Sequence, residues 1–326
     1  MRILVTGGAG YIGSVTADAL VRRGHEVTVL DDLRSGHRDA VPSGATFALA
    51  DVAEREAVGR VLEASRADAV MHFAASSLVS ESMARPMAYF ANNTGASLAL
   101  LDAMVEHDVR RFVLSSTAAV YGTPDAVPIP EDAQVRPESV YGESKVLVER
   151  TLAWLARTAG LGYAALRYFN AAGATEALGE DHRPETHLVP LVLQVARGER
   201  EALQLFGRDY PTPDGTAVRD YVHVSDLAHA HVLAIEALRP GEARTYNVGT
   251  GRGFSVLEVV EACRAVTGLE IEVRDAPRRE GDPPRLVADA RAIQEGLGWR
   301  AEIPDLHDIV ASAWRWHRSH PDGYAT

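Results

Sequence analysis

The chain of 326 residues contains one cysteine, Cys263. A single thiol cannot form a disulfide within the chain. The sequence also lacks a run of about 18 apolar residues, the length from which a membrane-spanning helix is inferred. A glycine-rich turn begins at Gly7, which leaves no space before it for a secretory signal. We therefore expect a cytoplasmic protein that does not bind membranes.

Metal-binding and nucleophile motifs are also missing. His229 and His231 are two residues apart on a predicted helix and face different ways, while His317 and His320 lie near the C-terminus. No cysteine or acidic residue stands at a matching spacing, so we expect no metal site. The sequence has neither a P-loop nor a Gly-x-Ser-x-Gly elbow.

Acidic residues outnumber basic ones, with 45 Asp and Glu against 33 Lys and Arg and a formal net charge of −12. This charge balance disfavours nucleic acid and anionic membranes as general partners. A negatively charged ligand would have to be held by a local group of basic residues. We therefore expect no nucleic-acid partner.

What is present begins with a glycine-rich loop. An apolar run over residues 2–6 leads directly into the loop, and apolar residues at helical spacing follow it. Glycines at a strand-to-helix turn let the backbone approach a pyrophosphate, whose charge the helix N-terminus stabilises. A turn that binds no nucleotide is the alternative. The predicted dinucleotide contacts in this loop are Gly7, Gly10, Tyr11, Ile12 and Gly13.

A second predicted strand, residues 26–30, leads to Asp31, which stands 18 residues after Gly13. An acid near this spacing binds the adenosine ribose in dinucleotide-binding folds. Asp31 and Asp32 would also repel a 2′-phosphate, so the sequence favours NAD over NADP. Arg34 is a neighbouring basic residue, and we interpret it as a solvated loop residue.

Two further strands predict cofactor contacts at their C-terminal ends. Residues 46–50 lead to Asp51, an acid that can reach the adenine edge or cap the next helix. Residues 69–73 are followed by two alanines, over which a cofactor can lie. The contacts predicted at these two ends are Asp51, Val52, Phe73, Ala74 and Ala75.

A helix is predicted over residues 85–107, but Asn92, Asn93 and Gly95 lower its helix propensity. Either these residues touch a ligand or the helix bends there. We favour ligand contact for Asn92.

Tyr141 and Lys145 are four residues apart on a predicted helix, which places them on one face. A nearby cation favours the ionised form of a phenol, so the pair can act as a base. The predicted strand over residues 111–115 runs into Thr117, whose hydroxyl can bond a reacting oxygen at the same strand end. The alternative is an amphipathic helix with a packed tyrosine and an exposed lysine.

The order of predicted elements indicates an α/β protein with a Rossmann-type doubly wound parallel sheet and a smaller C-terminal α/β substrate domain. The regular alternation of strands and helices fades after Gly173. We therefore predict an NAD-binding domain over residues 1–175, to which segments of about 218–250 return, and a substrate domain over residues 176–326. In the second domain, Arg219 and Arg279 are the cations that we predict to hold a diphosphate; solvated surface arginines are the alternative.

Together these residues resemble UDP-glucose 4-epimerase, a member of the extended short-chain dehydrogenase/reductase superfamily. The resemblance covers nearly the whole chain and is most specific in its second half. Its motifs are residues 7–13, residues 115–122, the pair Tyr141 and Lys145, residues 167–170, residues 206–212, residues 218–221 and residues 276–282.

The resemblance implies that Tyr141 takes the proton of the sugar 4-hydroxyl while C4 is oxidised to a transient ketone, with NAD kept as a bound prosthetic group. Thr117 would bond the 4-oxygen, and Lys145 would hold the nicotinamide ribose and lower the Tyr141 pKa. Further cofactor contacts are implied for Asn92, Ser115 and Tyr168. The residues implied to hold the UDP-sugar are Thr117, Tyr141, Asn170, His187, Leu188, Phe206, Arg219, Arg279 and Asp282.

Three positions depart from the pattern of many relatives. Ser76 and Ser77 stand where a lysine is usual, which predicts weaker NAD binding. His187 replaces an asparagine next to the predicted diphosphate contacts. Leu286 stands where a tyrosine restricts the pocket to plain hexoses and a smaller residue admits N-acetyl sugars, so this position leaves the substrate open.

Several other functions are alternatives to epimerisation of UDP-glucose and UDP-galactose. Nucleotide-sugar dehydratases place an acidic pair after the active-site threonine, where this chain has Ala118 and Ala119, so a dehydratase is disfavoured. A 4-epimerase for UDP-glucuronate or UDP-N-acetylglucosamine remains an alternative, as does a non-catalytic NAD sensor. The family also implies a homodimer formed through the helices near residues 85–107 and 141–159.

Overall fold

The computed structural model describes residues 1–279 and 282–324. Its strands are β1 (Arg2–Thr6), β2 (Glu26–Asp31), β3 (Thr46–Leu49), β4 (Ala69–His72), β5 (Arg111–Thr117), β6 (Gly162–Tyr168), β7 (Asn170–Ala172), β8 (Leu203–Phe206), β9 (Val218–His223), β10 (Ala243–Val248), β11 (Gly253–Ser255), β12 (Val273–Ala276) and β13 (Arg285–Leu286).

The helices alternate with these strands in the first half of the chain. They are α1 (Tyr11–Arg22), α2 (Arg55–Ser65), α3 (Val79–Ala84), α4 (Pro86–Tyr89), α5 (Ala96–Glu106), α6 (Val140–Ala159), α7 (Leu188–Ala196), α8 (Val224–Ala237), α9 (Val256–Thr267), α10 (Arg291–Leu297) and α11 (Leu306–Ser319). Short 3₁₀ helices cover Arg38–Ala40 and Ala118–Tyr121.

The largest sheet has seven strands in the order β10-β6-β5-β4-β1-β2-β3. Every neighbouring pair in it is parallel. From β3 to β6 the order is that of a doubly wound dinucleotide-binding sheet, in which ligands bind outside the C-terminal ends of the strands. The predicted α/β class with a Rossmann-type parallel sheet is therefore confirmed.

Both faces of this sheet are covered, because successive strand residues point to opposite sides. Ile3 and Val5 pack into one core with residues of α1 and α8. Leu4 packs into the opposite core with residues of α2, α5 and α6, including Leu100 and Leu152. Full burial of one such aliphatic side chain contributes about 1.5–3 kcal/mol, so the two cores hold the sheet rigidly.

The second half of the chain forms smaller sheets around the C-terminal ends of the large one. β8 pairs with β12, while β9 pairs with β7, β11 and β13. The helices α7, α9 and α11 pack on a core of their own. The chain returns to the large sheet through β10, which pairs with β6 along Ala243–Val248.

The helix predicted over residues 85–107 is interrupted as its polar residues suggested. It begins as α4, continues as a π-helical turn over Phe90–Gly95 and ends as α5. In the described part of the chain, no helix has the combined length and apolar content needed to cross a bilayer.

Candidate active site

Tyr141 and Lys145 lie near the N-terminus of α6. The Ser139 hydroxyl caps this helix by accepting a hydrogen bond from the Gly142 amide at 3.1 Å. Tyr141 is 7% exposed and Lys145 is 3% exposed. Lys145 Nζ donates to the Ser115 carbonyl oxygen at 3.0 Å. The alternative in which this lysine is a solvated surface residue is therefore wrong.

Burial dominates the protonation of this pair. It raises the pKa of the Tyr141 phenol, and Tyr168 adds to that effect while the hydrogen bond with the Thr117 side chain opposes it. Burial also lowers the pKa of Lys145 to about 8, against the opposing charge of Glu149. The sequence predicted that Lys145 lowers the Tyr141 pKa. The chain's own groups instead keep the phenol protonated at neutral pH.

The C-terminal end of β5 carries hydroxyls that are already held in place. The Ser115 Oγ lies 2.9 Å from the phenol oxygen of Tyr168. The Thr117 Oγ accepts from the Ala119 amide at 3.1 Å and so caps the short 3₁₀ helix that follows. Its hydroxyl lies beside the Tyr141 phenol. A substrate oxygen placed between them would meet two hydroxyl groups of fixed position.

The glycine loop brings backbone against backbone. A Cβ atom at Gly7 would lie 2.4 Å from the Ala74 amide nitrogen, and one at Gly13 would lie 2.1 Å from the Gly7 carbonyl oxygen. Gly10 is the N-cap of α1 and provides no side-chain cap to the helix. Backbone N–H groups at such an N-terminus can bind a pyrophosphate, so the loop fits a dinucleotide.

Asp31 is fixed against this loop at the end of β2. Its carboxylate accepts from the Ala9 amide at 3.0 Å and from the Leu33 amide at 2.9 Å. Tyr11 points elsewhere, since its hydroxyl donates to the Gly173 carbonyl oxygen at 2.6 Å. Ile12 packs partly into the cores on either side of α1. Contacts of Tyr11 and Ile12 with a cofactor would therefore come from their backbone.

Arg34 lies in a loop with its side chain 64% exposed, as the sequence predicted, and it also pairs with two acids. Its guanidinium contacts Asp32 at 3.2 Å and donates to Asp51. Asp51 also accepts from the Ala53 amide at 2.8 Å, but the N-cap residue of α2 is Glu54, so Asp51 is a strand-end acid and does not cap that helix. The next residue, Val52, is buried in the core. Two carboxylates neutralise Arg34, which leaves it poorly suited to a 2′-phosphate.

Two of the predicted cofactor contacts, Phe73 after β4 and Asn92, already contact other side chains of the protein. The Phe73 ring lies 4.8 Å from the His231 ring, and Ala74 and Ala75 continue beyond the strand. The Asn92 side chain donates to the Ser76 hydroxyl at 3.2 Å. Part of its hydrogen-bonding capacity is therefore used within the protein.

The predicted substrate residues of the second half come together around β9. Arg219 donates to Asp282, whose other carboxylate oxygen lies 3.5 Å from the Tyr210 hydroxyl. The guanidinium of Arg279 lies 4.0 Å from the centre of the Phe206 ring. Two arginines, an acid and an aromatic ring in one group are suited to a diphosphate and a base. Glu280 and Gly281, within the motif of residues 276–282, lie outside the described residues.

Similarity to known proteins identifies the family. The model of the NAD dependent epimerase/dehydratase family matches residues 3–249. The chain belongs to this family.

Similar proteins extend over the full chain. UDP-glucose 4-epimerase of Streptococcus mutans is 51% identical, with 99% of each chain covered. A solved UDP-glucose 4-epimerase is 48% identical, with a TM-score of 0.95 and 99% of each chain covered. The enzyme of Bifidobacterium longum, solved with NAD+ and UDP, is 37% identical, with a TM-score of 0.95 and coverage of 99% of this chain and 100% of that one. The resemblance found in the sequence is confirmed.

His187, one of the departures from many relatives, is engaged within the protein. Its Nδ1 lies 2.7 Å from a carboxylate oxygen of Glu180 and 3.2 Å from one of Glu185. His187 is the N-cap residue of α7, and Leu188 is the first residue of that helix. Asn170 lies at the start of β7, in register with Tyr221.

The two remaining departures lie at different ends of the site. Ser76 is held by Asn93, which accepts from its amide at 2.8 Å and donates to its carbonyl oxygen at 2.9 Å. Leu286 stands in β13 in register with Arg219 and packs partly against the apolar cluster of Val120 and its neighbours. Leu286 therefore joins the two halves of the site.

Behind the site lies a buried polar network, of which Ser116, Tyr121 and Arg167 belong to motifs of the resemblance while Glu149 was not predicted from the sequence. Glu149 accepts from Ser116 at 2.5 Å and from Arg167 at 2.6 Å. Arg167 also donates to the Tyr121 hydroxyl at 3.0 Å, and that hydroxyl donates to Asn247 at 2.7 Å. Glu149 stands four residues after Lys145 on α6, a spacing at which helical side chains meet. This spacing is the one sequence signal that could have found it.

Proposed function

We propose that the chain is an NAD-dependent isomerase that inverts C4 of a UDP-hexose and so interconverts UDP-glucose and UDP-galactose. The observation that carries this proposal is the juxtaposition of a buried tyrosine, a buried lysine and a threonine hydroxyl at the C-terminal end of β5. The group around Arg219 and Asp282 provides a second binding region suited to the nucleotide. The proposal also agrees with two relatives that are 51% identical to this chain, both named UDP-glucose 4-epimerase.

Bound NAD supplies the hydride acceptor and donor for C4. The glycine loop and Asp31 would hold its pyrophosphate and adenosine ribose, and Lys145 would hold the ribose next to the reacting ring. We also assign Ser115 and Tyr168, at the ends of β5 and β6, to the cofactor side of the site. The Arg34 pairing described above makes NADP the poorer fit.

Tyr141 takes the proton from the 4-hydroxyl as C4 is oxidised and gives a proton back to the 4-oxygen when C4 is reduced. Thr117 holds the 4-oxygen by a hydrogen bond in both directions. Because burial raises the pKa of Tyr141, its ionisation needs positive charge in the pocket. The Lys145 ammonium and the cationic nicotinamide ring are the charges that would provide it.

The ketone must present both faces before it is reduced, so the sugar cannot be held as firmly as the nucleotide. Arg219, Arg279, Asp282 and Phe206 would anchor the diphosphate and uridine, with Asn170 and the first turn of α7 beside them. Anchoring at UDP alone leaves the hexose free to turn. Reduction of the other face of the ketone then gives the opposite configuration at C4, with the same base, Tyr141, and the same hydroxyl, that of Thr117.

We also propose that the protein is a cytoplasmic homodimer. The expected interface helices expose large apolar side chains, with Met87 74% exposed, Leu98 42% exposed and Trp154 61% exposed. Such residues on adjoining helices would be covered by a second copy of the same surface.

The experiment is a turnover assay with purified protein and no added reductant. UDP-galactose should be converted to UDP-glucose by the wild type and by Tyr246→Phe, a matched change in edge strand β10. Tyr141→Phe should lose at least about 1,000-fold in kcat, within the range for loss of a proton-transfer group. Full turnover by Tyr141→Phe would refute the assignment of the base. A panel that includes UDP-glucuronate and UDP-N-acetylglucosamine would overturn the UDP-hexose assignment if one of them were turned over faster.

A further inference from the structure

The segment between β7 and α7 gathers four potential metal ligands. Glu180, His182, Glu185 and His187 each offer a nitrogen or oxygen atom, and these atoms all lie within 4.8 Å of one another. No metal site is expected from the sequence, because that expectation rests on the spacing of His229, His231, His317 and His320. The two histidines and two acids of this segment fall in a stretch without regular secondary structure, where spacing gives little guidance.

The distances within the cluster suit a small divalent cation. His187 Nδ1 lies 2.7 Å from Glu180 and 3.2 Å from Glu185, and His182 Nδ1 lies 3.1 Å from Glu180 and 3.8 Å from Glu185. In a tetrahedral zinc site with bonds of about 2.0–2.2 Å, neighbouring ligand atoms are about 3.3–3.6 Å apart. Three of the four observed separations lie below that range and one lies above it.

One nitrogen of the cluster lacks a hydrogen bond among the described residues, although Glu185 accepts from the Thr186 amide at 2.6 Å and from the His187 amide at 2.8 Å. The side chains of Glu180 and Glu185 are each only 5% exposed, so two carboxylates are withdrawn from water within one small volume. His182 Nδ1 is buried and has no hydrogen bond of acceptable geometry among the described residues. A cation at the centre would neutralise both carboxylates and satisfy this nitrogen.

An entry path exists beside the ligands. Glu180, His182 and Glu185 line a cavity of about 400 Å³ that is open to solvent, so an ion can reach them without unfolding of the segment. The surroundings hold the ligands in place, since the Tyr11 ring meets the His182 ring edge-on at 6.4 Å between centres. His187 leads directly into α7.

From this geometry we propose that Glu180, His182, Glu185 and His187 bind one divalent cation, of which zinc fits the two-nitrogen, two-oxygen ligand set best. Four protein ligands leave no open position, so the ion has a structural role rather than a catalytic one. It ties the loop after β7 to the N-terminus of α7. This inference does not depend on the proposed reaction.

The test uses full-length protein without a polyhistidine tag, freed of metal by a chelator, dialysed and then mixed with zinc. Mass spectrometry of the metal content should give about one zinc per chain after removal of excess ion. Cobalt added in place of zinc should give the intense visible absorption of a tetrahedral site. The melting temperature should rise with zinc and fall again with chelator.

Two variants and one control make the assignment specific. His182→Gln and Glu185→Gln should each lose at least about 10-fold in zinc affinity and lose the cobalt spectrum, while circular dichroism checks that they are folded. His307→Gln removes an exposed histidine of α11 and should bind like the wild type. Wild-type protein that retains no zinc, or variants that retain as much as the wild type, would overturn the proposal.

Discussion

The guanidinium of Arg167 on β6 donates to the carboxylate of Glu149 on α6 at 2.6 Å, and both side chains are almost buried, at 8% and 11% exposure. This ion pair couples the helix that carries Tyr141 and Lys145 to the strand next to β5. Because Glu149 also accepts from Ser116, the pair fixes the distance between the candidate base and the end of β5. The position of the site therefore depends on a salt bridge that lies outside it.

Removal of one partner of this pair should be costly. Arg167→Met leaves the Glu149 carboxylate buried without its counter-ion, and we expect a loss of about 3–5 kcal/mol in the free energy of unfolding. The matched control is Arg85→Gln, which breaks the exposed pair with Glu81 and should cost less than about 1 kcal/mol. Urea denaturation of both variants measures the difference. Similar losses in both would contradict the assigned role of burial.

Lys145 is the only lysine in the sequence, so its titration can be observed directly. Protein labelled with ¹⁵N-lysine should show one side-chain signal that titrates near the lowered pKa of about 8, below the ordinary value of about 10.4. A signal that titrates near the ordinary value would show that this amine is not desolvated.

The same group should make stability depend on pH. Between about pH 8 and 10.4 the unfolded chain keeps the lysine proton that the folded protein has lost. This group therefore makes the free energy of unfolding rise with pH across that window, by about 3 kcal/mol in total. Lys145→Met should lack this rise in denaturation measured at several pH values. An unchanged pH profile in the variant would assign the effect to other groups.

Two glycines of the loop should separate folding from cofactor binding. Gly13→Ala places a Cβ 2.1 Å from the Gly7 carbonyl oxygen and should cost about 1–3 kcal/mol of stability. At Gly10 the nearest atom would be 3.4 Å away, so Gly10→Ala should cost less than about 1 kcal/mol. It should still reduce bound NAD, because the new methyl group narrows the approach to the pyrophosphate. Thermal melting and the nucleotide released on heating measure the two effects. A fully NAD-loaded Gly10→Ala protein would argue against this site for the pyrophosphate.

Arg219 should contribute to nucleotide binding rather than to chemistry. Arg219→Gln removes a cation that pairs with Asp282 and leaves that acid facing the diphosphate, so the inhibition constant of UDP should rise about 10- to 100-fold. Arg274→Gln changes an exposed arginine of strand β12, which pairs with β8 and not with β9, and should leave inhibition unchanged. The inhibition constant of UDP is measured for both variants at a constant substrate concentration. Equal inhibition constants would show that Arg219 does not bind the diphosphate.

The sequence predicted the fold class because its signals are local. The run into Gly7, the helix after it and the acid at Asp31 are each recognisable within about 30 residues, the length of one βαβ unit. The helix bearing Tyr141 and Lys145 also follows from its local pattern. Such features can be predicted from the sequence because they depend on residues that are close together in the chain.

Residues that depend on distant partners were harder to predict. Asn92 was favoured over Asn93, yet Asn93 is the buried amide that holds Ser76 and bonds Ser144 of α6. The difference is one of helix phase, which the π-helical turn over Phe90–Gly95 alters. The cluster of Glu180 to His187 was not predicted because an irregular segment has no helical or strand periodicity that would show which side chains lie together. The direction of the Tyr141 pKa shift was missed because burial is a property of the whole fold.

Strand β10 completes the large sheet at its β6 edge, although it is made after the segments that form β7, β8 and β9. A chain ended at residue 175 would leave the edge of β6 without its neighbour, open to pairing with other molecules. A single genetic crossover between the two halves would likewise break this pairing. The second half could not be exchanged as one continuous insertion either, because its core joins α7, which precedes β10, to α9 and α11, which follow it.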